Sequence, residues 1–412
     1  MSEGGSRRPG RPADEGRPIV NTHIHIPPNF SAFESAEDAV ETAAAEGVRV
    51  LGTSNFHDTR IYARFAEAAR AARILPLFGL EFICVLDDLH DAGTRVNDPG
   101  NPGRMYVCGK GIDPFMAPAP DAAGLLAHAR TADANRMRTM VALVRARFQE
   151  AGLETALTPE NIAAEVAEQS DVAGGWVVLQ ERHVAMAFQE AVFLAAAPER
   201  RRDLLARVLG KPFGGSLNDP IGVQDGIRAG LMKAGGPAFV PESPVSFRDA
   251  IRVILGLGGI PCYPTLADGA SPICPWEEPP AELAERLQAS GIFVAELIPG
   301  RNRPEIVDAY VSSFRESGIV VMAGTEHNTR ARIPLEPRCV DGTLPSPAAR
   351  AAFWEATCVV AAHQHLRATG KPGYVDGEGR LNPGFPDGAS RVRWFAEMGA
   401  ELIDAVSSVA TR

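Results

Sequence analysis

The chain has 412 residues, of which 45% are hydrophobic and 22% charged, as in an ordinary globular protein. This length suits one large α/β domain with insertions as well as it suits two domains. The net charge of −10 argues against binding to a nucleic-acid polymer or to an anionic membrane surface, and it leaves room for a small anionic substrate.

We find no targeting signal in the sequence. The six cysteines have neither a metal-binding nor a disulfide-rich spacing, and the polar first segment lacks the apolar stretch of a secretory signal. No apolar run reaches the length of a membrane span. We therefore expect a cytoplasmic protein with a disordered N-terminal arm at residues 1–17.

Strands and helices alternate in two stretches of the chain. The first stretch predicts strands at 18–26, 48–53, 74–82 and 105–112, and helices at 36–46, 61–73 and 121–151. The second predicts helices at 247–257, 281–290 and 304–317, and strands at 259–263, 292–298 and 319–323. Such alternation predicts a parallel sheet, closed or doubly wound. Residues 152–245 and 340–412 are mostly helical and could shape a pocket or a subunit contact. A homo-oligomer is therefore one of the possible states of this protein.

The first predicted strand ends in Asn21-Thr22-His23-Ile24-His25. Side chains two apart on a strand share a face, so both imidazoles can reach one metal ion. The alternative is a turn with two surface histidines. The same spacing at His363-Gln364-His365 lies in a helical run, where positions two apart diverge, and there we expect only a surface feature.

Three further predicted strands finish with imidazoles or carboxylates. His57 follows the second strand, Glu81 ends the third, and Glu326 and His327 follow the last. Each of them alone could be a solvated loop residue. Together they predict a metal centre, because the carboxyl ends of barrel strands meet at one rim. Mixed imidazole and carboxylate ligands suit zinc, manganese or iron.

These segments resemble the PHP (polymerase and histidinol phosphatase) family of metal-dependent phosphoesterases. Its H-x-H, T-D-H, G-x-E and G-S-D-x-H segments are matched in order by residues 23–25, 53–57, 79–81 and 324–328, and further similarity lies at 105–113, 181–185, 234–241 and 258–264. The resemblance covers about residues 18–330. It implies an α/β fold, a distorted seven-stranded TIM-like barrel of PHP type, with 152–245 as a helical insertion and 331–412 as a C-terminal helical extension.

The chain departs from the family pattern at several ligand positions. Tyr106 and Tyr263 stand where the family has two histidines, which there share one metal position with the counterpart of Glu81. Phe56 and Glu326 replace aspartates, and Asn328 aligns with the last family histidine. We therefore expect a divergent member with one or two divalent ions, where the family holds up to three.

The resemblance and the strand ends together assign roles to the candidate residues. We expect His23, His25, Glu81 and Glu326 to bind metal, His57, His327 and His183 to serve catalysis, and Arg182, Arg301 and Arg303 to bind substrate. For His57 and His327 the choice lies between a second metal and proton transfer. For His183, packing on a helix face is an equal alternative to a role in the site. For Arg301 and Arg303, the alternative is that they lie in a solvated loop and bind no substrate.

The function implied is metal-dependent hydrolysis of a phosphoester on a small metabolite or nucleotide. Barrels with an H-x-H first strand also serve amidohydrolases, which cleave C–N or C–O bonds, so this reading stays open. A third reading is a non-catalytic metal- or ligand-binding protein on the same fold, which the two tyrosines favour.

Overall fold

The computed structural model describes residues 18–408, so the arm predicted at 1–17 lies outside the described residues. The strands are β1 (Ile19–Ile24), β2 (Val48–Thr53), β3 (Asn55–Phe56), β4 (Leu75–Leu77), β5 (Gly79–Val85), β6 (Arg104–Lys110), β7 (Val245–Ser246), β8 (Ile260–Thr265), β9 (Val294–Leu297) and β10 (Val320–Ala323). The helices are α1 (Ala36–Ala45), α2 (Tyr62–Ala71), α3 (Asp87–Asp91), α4 (Pro120–Glu150), α5 (Pro159–Gln169), α6 (Glu181–Ala195), α7 (Pro198–Leu209), α8 (Pro220–Ile227), α9 (Phe247–Gly256), α10 (Pro280–Ala289), α11 (Pro304–Glu316), α12 (Pro347–Ala368) and α13 (Gly388–Ser408).

Local sequence signals set the ends of several helices. The Ser35 hydroxyl accepts the Asp38 N–H at 3.0 Å and begins α1. Gly47 follows that helix with a φ of +76°, a conformation that costs glycine little. At α5, Thr158 and Asn161 satisfy each other's backbone N–H groups in a capping box. These local contacts fix both ends of α1 and the start of α5, because each depends on residues a few positions apart.

The strands form two sheets. β1, β2 and β4 make a parallel three-stranded sheet, and the larger sheet has the order β10-β9-β8-β6-β5-β3, with β7 beside β5. A parallel bridge between Ile24 and Glu326 joins the end of β1 to the segment after β10. The pairings found within residues 18–408 do not close into one ring, so the fold is α/β with largely parallel sheets and the seven-stranded barrel stays a prediction.

Two predictions about the strands are wrong. β6 runs antiparallel to β5, because the chain returns from β5 through the short helix α3 and a loop, without a crossover over the sheet. β6 is also antiparallel to β8. The strand predicted at 74–82 is two strands in different sheets, and the Phe78 carbonyl between them accepts the Ile112 N–H at 2.9 Å. Glu81 therefore lies inside β5 and does not end a strand.

The apolar side chains form three clusters. The largest packs α1, α2, α9, α10 and α11 against the sheets. The second joins the latter half of α4, including Met140 and Phe148, to α5–α8 through residues such as Phe188 and Leu205. The third lies under α12 and α13. The helical insertion thus has its own core, and α4 anchors it to the rest of the chain; the predicted domain bounds at 330 and 331 stay predictions.

The second H-x-H pair behaves differently from the first. His363 and His365 lie on α12, as predicted, and point apart. His363 is buried, with Nε2 2.8 Å from the Gly258 carbonyl and Nδ1 accepting the Tyr374 N–H at 3.0 Å, whereas His365 is exposed. The expectation of a surface pair is therefore wrong for His363, which holds α12 against its neighbours.

All six cysteines are buried free thiols, so they act as small apolar side chains. A search of the helices between residues 18 and 408 finds none with the length and apolar character needed to cross a bilayer.

The contact between α12 and α13 depends on Gly399. A Cβ at this position would overlap the Cys358 carbonyl of α12. We expect Gly399→Ala to lower the free energy of unfolding by roughly 1–3 kcal/mol, because the two helices must move apart. Gly124→Ala is the matched control, since its Cβ on α4 meets nothing within 4 Å, and it should be neutral or stabilising by up to about 1 kcal/mol. Denaturant titration followed by circular dichroism measures both, and wild-type stability of Gly399→Ala would contradict the close helix contact.

Candidate metal centre and its cavity

Three of the predicted metal ligands converge inside the protein. His23 and His25, at the end of β1, and Glu81 of β5 each offer one ligand atom, and these atoms lie within 4.8 Å of one another. His25 Nε2 is 3.7 Å from Glu81 Oε2. Within the described chain, His23 Nε2 and His25 Nδ1 are buried and make no hydrogen bond of normal geometry, although the Asn29 side chain lies near His25. Since unpaired buried nitrogens are costly, this donor set fits a divalent cation.

A buried carboxylate that the sequence did not single out orients His23. Glu296 Oε2 lies 2.6 Å from His23 Nδ1, and Glu296 Oε1 accepts from Lys110 Nζ at 2.8 Å. Thr22 Oγ1 donates to the same oxygen at 2.8 Å. Burial alone would raise the pKa of Glu296, but Lys110 and His23 hold that pKa at about 2. An ionised carboxylate on Nδ1 fixes the ring and leaves Nε2 for a metal ion.

A second group of donors shares His23. His23, Cys108 and Glu296 also offer ligand atoms within 4.8 Å of one another. The Lys110 ammonium already neutralises Glu296, however, and burial raises the pKa of the Cys108 thiol. The group of His23, His25 and Glu81 is therefore the better metal site.

Glu326, the fourth predicted ligand, lies beside this group. Its N–H donates to the His23 carbonyl and its carbonyl accepts the His25 N–H, both at 2.8 Å. This close approach requires Gly324, because a Cβ there would overlap the His23 side chain. The Glu326 carboxylate contacts Arg301 and accepts from Asn328 Nδ2. It is not one of the donors within 4.8 Å, so its ligation stays a prediction.

The charge state of Glu81 reflects these neighbours. Burial, and after it the Glu326 carboxylate, raises the pKa of Glu81 to about 8. Burial, and then the neighbouring His23, lowers the pKa of His25. A bound cation would reverse the preference of Glu81 for its protonated form.

His57 lies at the wall of the same cavity. It stacks on Phe56, with ring centroids 3.9 Å apart, and also contacts Phe82. His57 Nδ1 is 2.9 Å from Asp133 Oδ2 of α4, although the two groups are not aligned for a hydrogen bond, and Nε2 is buried without a partner in the described chain. His57 and Glu326 both have positive φ, 54° and 63°, a strained conformation for these residues that clusters at functional sites.

The other two predicted catalytic histidines are held by structural contacts, and neither lines the cavity. His327 has Nδ1 2.7 Å from Thr325 Oγ1 and Nε2 3.0 Å from the Ile333 carbonyl. His183 Nδ1 accepts the Gln180 N–H at 3.1 Å at the start of α6, and burial lowers its pKa to about 3. For His183 the structure favours the packing alternative, and for His327 both ring nitrogens are occupied.

The cavity encloses about 950 Å³ with its open mouth included. His25 and Glu81, from the strand side of the fold, line one part of it, and α4 and the helical insertion line another. Arg182 lines the cavity and pairs with Asp225 at 3.1 Å.

The two other predicted substrate-binding arginines have different surroundings. Arg301 reaches the Glu326 carboxylate, next to the predicted metal ligands. Arg303 does not line the cavity: it pairs with Asp268 at 2.9 Å and Glu305 at 3.1 Å, and its side chain is 59% exposed. These contacts favour the solvated-loop alternative, and the assignment of Arg303 to substrate binding stays a prediction.

The two tyrosines at family histidine positions are buried phenols. Tyr106 lines the cavity, and Tyr263 Oη donates to Glu277 Oε1 at 2.8 Å. Burial raises the pKa of both phenols well above its ordinary value. Neither tyrosine thus offers a phenolate ligand at neutral pH.

Sequence reasoning missed Lys110, Glu296 and Asp133. A signal existed for two of them, since Glu296 interrupts the otherwise apolar β9, and Lys110 ends β6 after the uncharged run at 105–109. An isolated charge in a buried strand needs a partner, but the sequence does not say which one. Asp133 lies on the long helix α4 among many charged residues and has no such signal.

Comparisons with known proteins give a fold and no family. No family model matches the chain, and neither does any curated protein. A crystal structure from Bifidobacterium adolescentis, named for a metal-dependent phosphoesterase, matches with a TM-score of 0.53 and 17% identity over 82% of this chain and 96% of that one. An amidohydrolase structure from Chromobacterium violaceum, with bound sulfate and no metal, matches with a TM-score of 0.50 and 18% identity over 81% and 96%. The chain therefore shares the fold of these two structures.

We expect Glu296→Gln to destabilise the protein strongly. Removing this carboxylate leaves the Lys110 ammonium buried without its ion-pair partner, which costs roughly 3–5 kcal/mol of unfolding free energy. The double variant Lys110→Met/Glu296→Gln removes the orphaned charge and should recover part of the loss. Urea denaturation of metal-free protein measures all three chains. A double variant no more stable than Glu296→Gln would show that the buried charge is not the cause.

Metal binding at neutral pH should release a proton from Glu81. Its raised pKa keeps the carboxyl protonated below a pH of about 8, and ligation requires the carboxylate, so metal affinity should rise with pH and level off above that value. His25, with its lowered pKa, is already neutral and contributes no proton. Calorimetry in buffers of different ionisation enthalpy counts the protons released. Binding without proton release, or unchanged release in Glu81→Gln, would contradict this assignment.

Proposed function

We propose that this protein is a metal-dependent hydrolase in which His23, His25 and Glu81 hold a divalent ion. The observation that carries the proposal is that His23, His25 and Glu81 each offer one ligand atom within 4.8 Å of the others. In addition, each imidazole has one buried nitrogen without a hydrogen bond of normal geometry within the described chain. Zinc, manganese or iron suits these donors. Glu326 is proposed as a further ligand, since it stands beside the group with its backbone fixed to β1.

We favour a phosphoester of a small metabolite or nucleotide as the substrate. Four cationic side chains line the cavity within the described chain, namely Arg136, Arg182, Arg228 and Lys233. Arginine and lysine bind phosphate oxygens through charge-assisted hydrogen bonds. The likeness in fold to a structure named for a phosphoesterase agrees with this choice. The substrate is proposed to be small because the net charge of −10 disfavours a nucleic-acid polymer.

In the proposed mechanism the side chains position the substrate and move one proton. When bound, a divalent ion supplies Lewis acidity, which activates water and polarises the bond under attack. Glu296 and Lys110 hold the His23 ring in place. His57 Nε2 accepts the proton of the attacking water, and Asp133 near Nδ1 stabilises the imidazolium that forms. Arg182 binds the non-bridging oxygens.

Hydrolysis of a C–N or C–O bond on the same fold is the second candidate. Tyr106 and Tyr263 favour it, because they stand at two ligand positions of the phosphatase-type pattern and stay protonated. The likeness in fold to a structure named as an amidohydrolase is compatible with it.

We expect metal-loaded protein to release phosphate from members of a phosphoester panel and His25→Ala to lose at least about 100-fold of that rate. Loss of an outer partner alone costs about 10–100-fold, and His25 is proposed to bind the ion itself. His365→Ala is the matched control, because it removes an exposed histidine of the other H-x-H pair. Elemental analysis of all three chains accompanies the assay.

The alternatives predict different results in the same experiment. Cleavage of amides or lactones without phosphate release would favour the amidohydrolase reading. Well under one metal ion per chain, not restored by zinc, manganese or iron, would favour a non-catalytic binding protein. Equal loss in His25→Ala and His365→Ala would reject the proposed centre.

A further inference from the structure

The helical side of the cavity contains a chain of ion pairs that the proposed mechanism does not use. Glu181, at the start of α6, is 7% exposed and receives three cations. Arg136 Nη2 lies 2.5 Å from one of its carboxylate oxygens, and Arg228 Nε and Lys233 Nζ lie 2.9 and 2.8 Å from the other. One carboxylate therefore serves three positive charges.

The same chain of ion pairs continues to a second carboxylate. Glu242 Oε1 lies 3.3 Å from Arg136, and the other oxygen of Glu242 contacts Arg104. Counted over the described residues that form this chain, four cations share two carboxylates. A half-buried excess of positive charge is unfavourable unless an anion balances it.

This excess charge lines the same cavity as two of the proposed metal ligands, but it comes from other elements of the fold. Arg136, Arg228 and Lys233 all line the cavity together with His25 and Glu81. The cations come from α4 and the helical insertion, whereas the proposed metal ligands come from β1 and β5. Arg228 and Lys233 keep 27% and 45% of their side chains exposed, so a ligand can reach them.

We propose that Arg228 and Lys233, supported by Arg136, bind a second anionic group of the substrate, remote from the bond that is hydrolysed. The inference rests on the proposed function and narrows its substrate class to small phosphoesters that carry a further phosphate or carboxylate. Glu181 is a positioning residue in this site, because it holds the three cations at one place in the wall.

Binding of non-hydrolysable probes tests the second site without any turnover. Calorimetry compares methylphosphonate with alkane-α,ω-bisphosphonates of increasing spacer length, on metal-loaded and on metal-free protein. We expect the bisphosphonate with the matching spacer to bind at least about tenfold tighter than methylphosphonate, since its second phosphonate adds charge-assisted hydrogen bonds to the cations. A parallel series of ω-carboxyalkylphosphonates shows whether a phosphate or a carboxylate fits better.

Variants locate the gain in affinity. Lys233→Met and Arg228→Met should each remove most of the bisphosphonate advantage, so that the affinities of the two probes become nearly equal. Lys211→Met is the control, because Lys211 lies in the helical insertion like Arg228 and Lys233, but it is exposed and does not line the cavity. A bisphosphonate series no tighter than methylphosphonate would overturn the proposal, and so would an equal loss for both probes in Lys233→Met.

The two proposals fail separately. Tight bisphosphonate binding that depends on Lys233, in a protein that hydrolyses no phosphoester, would reject the proposed phosphoester hydrolysis and support the anion site. Phosphoester hydrolysis with no preference for a second anionic group would support the hydrolase and reject the second anion site.

Discussion

The positive charge of a lysine buried among strands needs a nearby negative charge, and Glu296 supplies that charge to Lys110. The ammonium comes from the last residue of β6, the carboxylate from β9, and the second partner of that carboxylate, His23, from β1. One ionised group thus connects strands of both sheets. A charge pair that has left water is held by its own geometry, because separating the partners would leave each charge unsolvated.

The Lys110–Glu296 pair also fixes the position of side chains in the proposed metal centre. Glu296 fixes the His23 ring from behind, and the Glu326 backbone bonds to the carbonyl of His23 and the N–H of His25. Strained backbone at His57 and Glu326 lies around the same place, where the surrounding hydrogen bonds can maintain it. A cation would therefore meet donors whose positions are already set, with little reordering of side chains.

The cavity combines two kinds of chemistry from two parts of the chain. The strands supply two imidazoles and a carboxyl whose pKa is raised by burial, a set that favours a cation. The helical insertion and α4 supply an excess of guanidinium and ammonium groups, a set that favours an anion. Because the insertion has its own apolar core, its wall can differ between related folds without disturbing the strands.

Local patterns in the sequence determined the α/β class, most helices with their caps, and the pairing of His23 with His25, since each depends on residues a few positions apart. Only the tertiary structure decided that β6 runs antiparallel, that Phe78 divides a predicted strand, and that His57 lines the cavity while His327 is held by Thr325 and Ile333. It also decided the partners of the buried charges: Lys110 and Glu296 are 186 residues apart, and Glu296 and His23 are 273 apart. The sequence shows that a buried charge needs a partner, but the partner is fixed only when distant strands pack together, because electrostatic attraction depends on distance in space and not along the chain.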